Sequence, residues 1–265
     1  MNMIRQELKM SVKTMIGYSL SIIVVFTVFL FFFDTFKTGA ILMNTLLKNF
    51  PPEFKVAFGF SDVDLAQFSG YMSFLYSYIV LIGAVFGMKL GVSVLSEEAR
   101  VKTSDFLLSK PVKRMQIVHM KLLSVLILIV SQNIITFLCT LAAAVIIIDE
   151  GFSFIVFTLM SLSVLLVQLF FVGVGLFISV IISKIKNVTP ITLGVVFMFF
   201  IIELVNQSLL DSKLTYLTPF SYFKGSYIIS HQAYDMKYVY LDLLIFICFT
   251  AITYVIYQKK DVHAV

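Results

Sequence analysis

The chain has 265 residues, 60% of them hydrophobic and only 13% charged, with a net charge of +5. A soluble domain carries about 45–50% apolar and about 25% charged residues, so one large core surrounded by water is excluded. The basic residues collect at the ends of apolar runs, where topology and anionic headgroups account for them. No basic face with interleaved aromatics stands apart to bind nucleic acid.

Residues 1–15 come first. Ile4, Leu8, Val12 and Met15 form an apolar row at helical spacing beside Arg5, Lys9 and Lys13. That pattern suits a helix in the membrane interface with its cations snorkelling to headgroups. A plain extension of the first span is the alternative. The run 16–33 is too long for a signal-peptide core and lacks a small-residue cleavage site, so it reads as a retained span.

The second span is expected at 71–95. Gly83, Gly87 and Gly91 recur every four residues there, a small-xxx-small pattern that lets helices approach closely. Lys89 lies near the end of this span, where snorkelling explains it. The third and fourth spans, 122–148 and 152–182, exceed the minimum length, so they tilt or project. Only Asp149, Glu150 and Gly151 separate them, which predicts a tight helical hairpin. Ser131, Gln132, Asn133 and Thr136 make a polar patch on the third span, as interhelical glue or as pathway lining. Gly175, Ser179 and Ser183, with Gly173 nearby, repeat the small-residue spacing on the fourth.

The fifth span, 190–210, carries Glu203, with Asn206 and Gln207 at i+3 and i+4 on one face. A charge at mid-membrane costs about 2.5–3.5 kcal/mol on insertion scales, so Glu203 must face protein or water. It is either a pathway or gating acid or a hydrogen-bonded packing residue. The sixth span is expected at 238–257. Cys139 and Cys248 sit inside apolar runs and are expected in the core rather than in a disulfide framework. The loops 34–69 and 211–237 contain aromatic and amphipathic stretches that suit short helices or re-entrant turns.

Thirteen Lys and Arg fall on the side of the N-terminus, residues 96–121, Lys184 with Lys186, and Lys259 with Lys260; six fall on the other side. The richer side is expected to be cytoplasmic, and an even number of spans puts both termini there. The chain reads as one transmembrane domain, 1–265, without internal repeat or soluble module.

The chain has no G-x-x-x-x-G-K-S/T loop to cradle phosphate, no H-E-x-x-H and no C-x-x-C. His119, His231 and His263 are far apart and on different sides of the membrane, so no metal or catalytic site is expected from them. The most informative segment is 96–121. It is dense in charge yet holds an apolar knob, Phe106-Leu107-Leu108, and Pro111 suits the first turn of a new helix. A short helix with apolar residues ringed by charge docks a soluble partner or lies on lipid; physics alone weighs the two equally.

This segment resembles the loop between the second and third spans of the type-2 ABC exporter permeases. Glu97 or Glu98, Thr103, Asp105, Leu107-Leu108 and Pro111-Val112-Lys113-Arg114 match the family's pattern, with Lys102 where the family has Gly. Residues 216–223, with Pro219-Phe220, are similar to its Pro-Phe motif before the last span. Tyr257-Gln258-Lys259-Lys260-Asp261 is similar to its basic-Asp ending. The resemblance covers the chain in order. It implies an all-α polytopic fold of about six spans, with an interfacial helix at 1–15 and a cytoplasmic coupling helix in 96–121. It implies a pathway formed with a second permease subunit, as a homo- or heterodimer in the cell membrane. It also implies a separate ATPase subunit that binds the ATP and docks on Glu97, Glu98, Thr103, Asp105, Phe106, Leu107, Leu108, Pro111 and Arg114. No cofactor and no catalytic residue belong to the chain in that reading.

Two other readings are open. An ion-driven transporter would use Glu203 as its proton-coupling acid, although paired repeats with interrupted helices are not evident. A membrane sensor or immunity protein would use the loop without transport.

Overall fold

The computed structural model describes residues 2–39, 66–101, 114–148, 151–182, 185–209 and 213–259. Among them the regular structure is helical: α1 (Asn2–Phe31), α2 (Phe68–Val101), α3 (Arg114–Ile147), α4 (Phe154–Ile181), α5 (Val188–Leu209), a short α6 (Gly225–His231) and α7 (Met236–Lys259). Two single-turn 3₁₀ helices, Leu214–Tyr216 and Pro219–Ser221, lie between α5 and α6. All of the α-helices except α6 are long and apolar enough to cross a bilayer, six in number. Hydrocarbon offers no water to exposed N–H and C=O groups, so each run closes its own backbone bonds as a helix. The chain is an all-α polytopic membrane protein.

Where ends are marked, local chemistry marks them. The Ser153 side chain accepts from the Val156 N–H at the start of α4, meeting one of a helix's unpaired first-turn donors. Pro219 opens the second 3₁₀ turn, where its missing donor is not needed. α6 stops at Gln232, which is left-handed with φ 49°.

α2 and α4 are the inner pair. In their most apolar stretches 67% of residues are buried, against 17–33% for the other spans. α5 also packs on α2, α7 on α4, and α1 lies along α3. Small residues set the α2–α4 approach. A Cβ added at Gly87 would sit 2.8 Å from the Gln168 carbonyl oxygen, and one at Gly91 would sit 2.6 Å from that of Val172. From the other side, a Cβ at Gly175 would lie 2.9 Å from both the Met88 oxygen and the Val92 nitrogen. Gly83 faces Val164 and Gln168 in the same row, and Gly173 faces Phe246 of α7.

Two expectations differ from what is seen. Asn2–Phe31 is one unbroken helix, so no break separates residues 1–15 from the first span. No Pro or Gly precedes Gly17 to interrupt it, and Glu7 on this stretch is buried against Lys121. Cys139 and Cys248 are exposed on the outer faces of α3 and α7 rather than in the core. In a membrane protein an apolar position is as well suited to lipid as to the interior. Asp149 and Glu150 of the short hairpin and most of 34–69 lie outside the described residues.

α2 and α3 have 34 residues each. At 1.5 Å per residue each is about 51 Å long, against a hydrocarbon core of about 30 Å. The charged residues of both helices gather where α2 ends and α3 begins, the end of the bundle that also holds the start of α1, here termed proximal.

Gly91→Val should destabilise the purified chain by about 1–3 kcal/mol, as overpacking does, read as a fall in melting temperature in detergent. Gly194→Ala, where nothing lies within 4 Å of the added carbon, should be neutral or stabilise by about 0.5–1 kcal/mol. Equal behaviour of the two would remove the seam from its central place.

Candidate functional site

Three polar constellations interrupt the apolar bundle. At the proximal end the Lys121 ammonium of α3 donates to the Glu7 carboxylate of α1 at 2.7 Å and to the Val94 carbonyl of α2 at 2.6 Å. Both side chains are buried, Lys121 completely. One cation therefore ties three helices together. A buried pair of this kind survives only when its remaining hydrogen-bonding capacity is met, and the Val94 oxygen supplies part of it.

At mid-height Gln168 of α4 sits between Gln132 and Asn133 of α3. Its amide donates to the Gln132 oxygen at 2.9 Å, and its own oxygen accepts from Asn133 at 2.6 Å. Thr136 and Thr140 donate back to carbonyls of their own helix at 2.9 and 2.7 Å. These residues meet one another rather than an open channel in the single chain. Gln168 also lies against Gly83 and Gly87, so the polar link and the close approach share one residue.

At the distal end residues 213–224 fold back on α5. Ser221 donates to the Glu203 carboxylate, Gln207 donates to its other oxygen at 2.7 Å, and Asn206 donates to Ser221 at 2.9 Å. Asn206 also reaches Thr215 at 3.3 Å, and Thr218 donates to the Phe199 carbonyl at 3.1 Å. Glu203 is only 4% exposed. The structure thus brings Glu203, Asn206 and Gln207 together on one face and closes that face with the 3₁₀ turns. Tyr222 donates to the Tyr216 carbonyl at 2.7 Å and stacks on Tyr238 with ring centroids 5.4 Å apart. Burial, with the acid Asp242 nearby, pushes the Tyr222 phenol up.

Two residues were missed at the sequence level. Gln168 completes the mid-height link. Asp242, one turn after Tyr238 on α7, is fully buried, and neither carboxylate oxygen has a partner among the described residues. A lone acid inside an apolar run was the available signal.

The loop residues stand differently. Glu97 and Glu98 fall at the C-terminal end of α2, and Arg114 is the first residue of α3. Thr103, Asp105, Phe106, Leu107, Leu108 and Pro111 lie outside the described residues, as do Ser183, Lys184, His263 and the Lys260-Asp261 ending. His119 reaches Tyr254 of α7 at 3.4 Å, while His231 stacks on Tyr227 in α6. Among the described residues no group of three or more His, Cys, Asp or Glu could hold a metal ion.

Six helices long and apolar enough to cross a bilayer define a polytopic membrane domain. The chain belongs to the ABC-2 family transporter proteins, matching that family over residues 1–262. It is the membrane-embedded permease subunit of an ABC transporter. No curated protein matches the chain.

Lys121→Met should cost about 3–5 kcal/mol because it strands the buried Glu7 carboxylate. Adding Glu7→Leu should recover most of that loss, as measured by a double-mutant cycle of melting temperatures. Asp242→Asn should leave the melting temperature unchanged or raise it, since it removes no hydrogen bond. A loss above about 1 kcal/mol, the worth of a typical hydrogen bond, would reveal a partner for that carboxylate.

Proposed function

We propose that this permease forms the translocation pathway of an ATP-driven exporter with a second permease subunit, identical or similar. A separate ATPase subunit docks on the segment 96–121 on the cytoplasmic side of the cell membrane. The observation that carries this reading is the charge-rich segment 96–121, with its apolar knob at 106–108, joining two helices each about 51 Å long. Family membership over residues 1–262 supports the same reading. The chain has no phosphate-cradling motif of its own, so hydrolysis must come from another subunit. The lysine and arginine count supports a cytoplasmic position for the proximal end.

In this mechanism ATP-driven closure of the ATPases pushes on the knob Phe106-Leu107-Leu108. The flanking Glu97, Glu98, Thr103, Asp105, Pro111 and Arg114 shape the docking surface. The push enters α2 and α3, which the Lys121 contact joins to α1. The α2–α4 seam carries it onward, because the close approach at the glycines and the buried cluster of Met88, Val92, Phe171 and Val174 pack the two helices together. The ion-driven alternative asks for a water-accessible Glu203, and that carboxylate is instead enclosed by Ser221 and Gln207.

Leu107→Asp tests the docking role. The variant should insert and fold as the unaltered chain does, yet lose the co-purifying ATPase subunit and its nucleotide hydrolysis. Undiminished recovery of the ATPase with a folded variant would remove the knob from the coupling path.

A further inference from the structure

At the proximal end α1, α2 and the start of α5 surround an open cavity of about 690 Å³, a size suited to a small ligand. Lys89 of α2 and Lys186, just before α5, both line it, with Ser11 and Thr14 of α1, Ser93 of α2 and Thr189 of α5. Its lining contains two cations, several hydroxyl donors and no acid. The first turn of α5 also borders it and carries no acidic residue. The unpaired amides and positive dipole end of such a turn favour an anion.

Lys89 lies about two turns before the end of the span 68–96 and is only partly exposed. Its ammonium stands 5.5 Å from the Tyr18 ring centroid. Among the described residues no carboxylate pairs with it. A lysine at this depth simply escaping to water would not need a walled polar recess or a second lysine across it. A smaller cavity of about 320 Å³ shares Thr14 and Lys89 and continues deeper along α1 past Gly17 and Ser21. Three and seven residues past Ser21, on the same side of the helix, α1 exposes Val24 and Val28. A charged recess that opens along an apolar helix face suits a ligand with an anionic head and an apolar tail.

We propose that this cavity binds the phosphate group of an anionic membrane lipid, with Lys89 and Lys186 as its charge partners. The hydroxyls of Ser11, Thr14 and Ser93 supply neutral donors to the remaining phosphate oxygens. The acyl chains then run along the apolar α1 face. Zwitterionic lipids carry the same phosphate with a cation beside it, which the two lysines disfavour. The proposal does not depend on the ATP-driven reading, since it concerns the isolated chain and survives failure of ATPase docking.

Native mass spectrometry of the purified chain in mild detergent tests it, with phosphatidylglycerol, phosphatidylcholine and inorganic phosphate as probes. The unaltered chain should retain phosphatidylglycerol over phosphatidylcholine. Lys89→Gln and Lys186→Gln should each weaken that retention about fivefold, the effect of one basic residue near an anionic surface. Lys13→Gln, outside the cavity, should leave it unchanged. Lys89→Arg keeps the charge and should keep the lipid, which separates lost charge from lost folding. Displacement of the lipid by millimolar inorganic phosphate would support the same lysine chemistry with the free anion as its source. Equal retention of both lipids, or retention unaffected by the two Gln substitutions in folded protein, would overturn the proposal.

Discussion

The close approach of α2 and α4 through Gly83, Gly87, Gly91 and Gly175 is the constraint on which the rest depends. Within a bilayer there is no hydrophobic force between helices, because lipid tails are as apolar as leucine. Association must come from packing and from interhelical hydrogen bonds, and both weaken quickly with distance. Glycine removes the side chain that would keep the backbones apart, at the cost of weaker helix propensity. Once the pair is formed, α5 and α7 have surfaces to pack on, and the three buried clusters around Phe26, Leu90 and Val167 fill in.

Hydrogen bonding then fixes the arrangement at three heights. The Lys121 contact binds α1, α2 and α3 at the proximal end. Gln168 binds α3 to α4 at mid-height, and Glu203 binds the 3₁₀ turns to α5 at the distal end. Each is a polar group whose alternative in hydrocarbon is to go unsatisfied. Each therefore specifies which helices are neighbours more sharply than apolar packing does. For a permease this is useful: a push at the proximal end meets a cross-braced bundle rather than six independent rods. Asp242 is the exception, a buried acid whose carboxylate oxygens have no hydrogen-bond partner among the described residues.

The six apolar runs were legible because bilayer thickness imposes a length on them, and the glycine spacing on α2 was legible because i, i+4 residues share a helix face. Glu203, Asn206 and Gln207 were readable as one face for the same reason. Their partners Thr215 and Ser221 were not, because the chain reverses between them and no periodicity crosses a reversal. Gln168 and Asp242 were hidden within runs whose hydrophobicity dominated the reading. The unbroken α1 could not be separated from an interfacial helix plus a span, since amphipathic spacing is the same in both. The exposed cysteines show the matching limit: hydropathy identifies what avoids water, but it does not say whether lipid or protein takes water's place.

The central claim is that this chain works as one of two permease subunits driven by a separate ATPase. Native mass spectrometry of the assembly extracted from its own membrane tests that claim most directly. The account predicts a particle of two permease chains and two copies of a soluble subunit that hydrolyses ATP. A monodisperse particle containing this chain alone, unable to hydrolyse ATP yet able to move a substrate down an ion gradient, would contradict it.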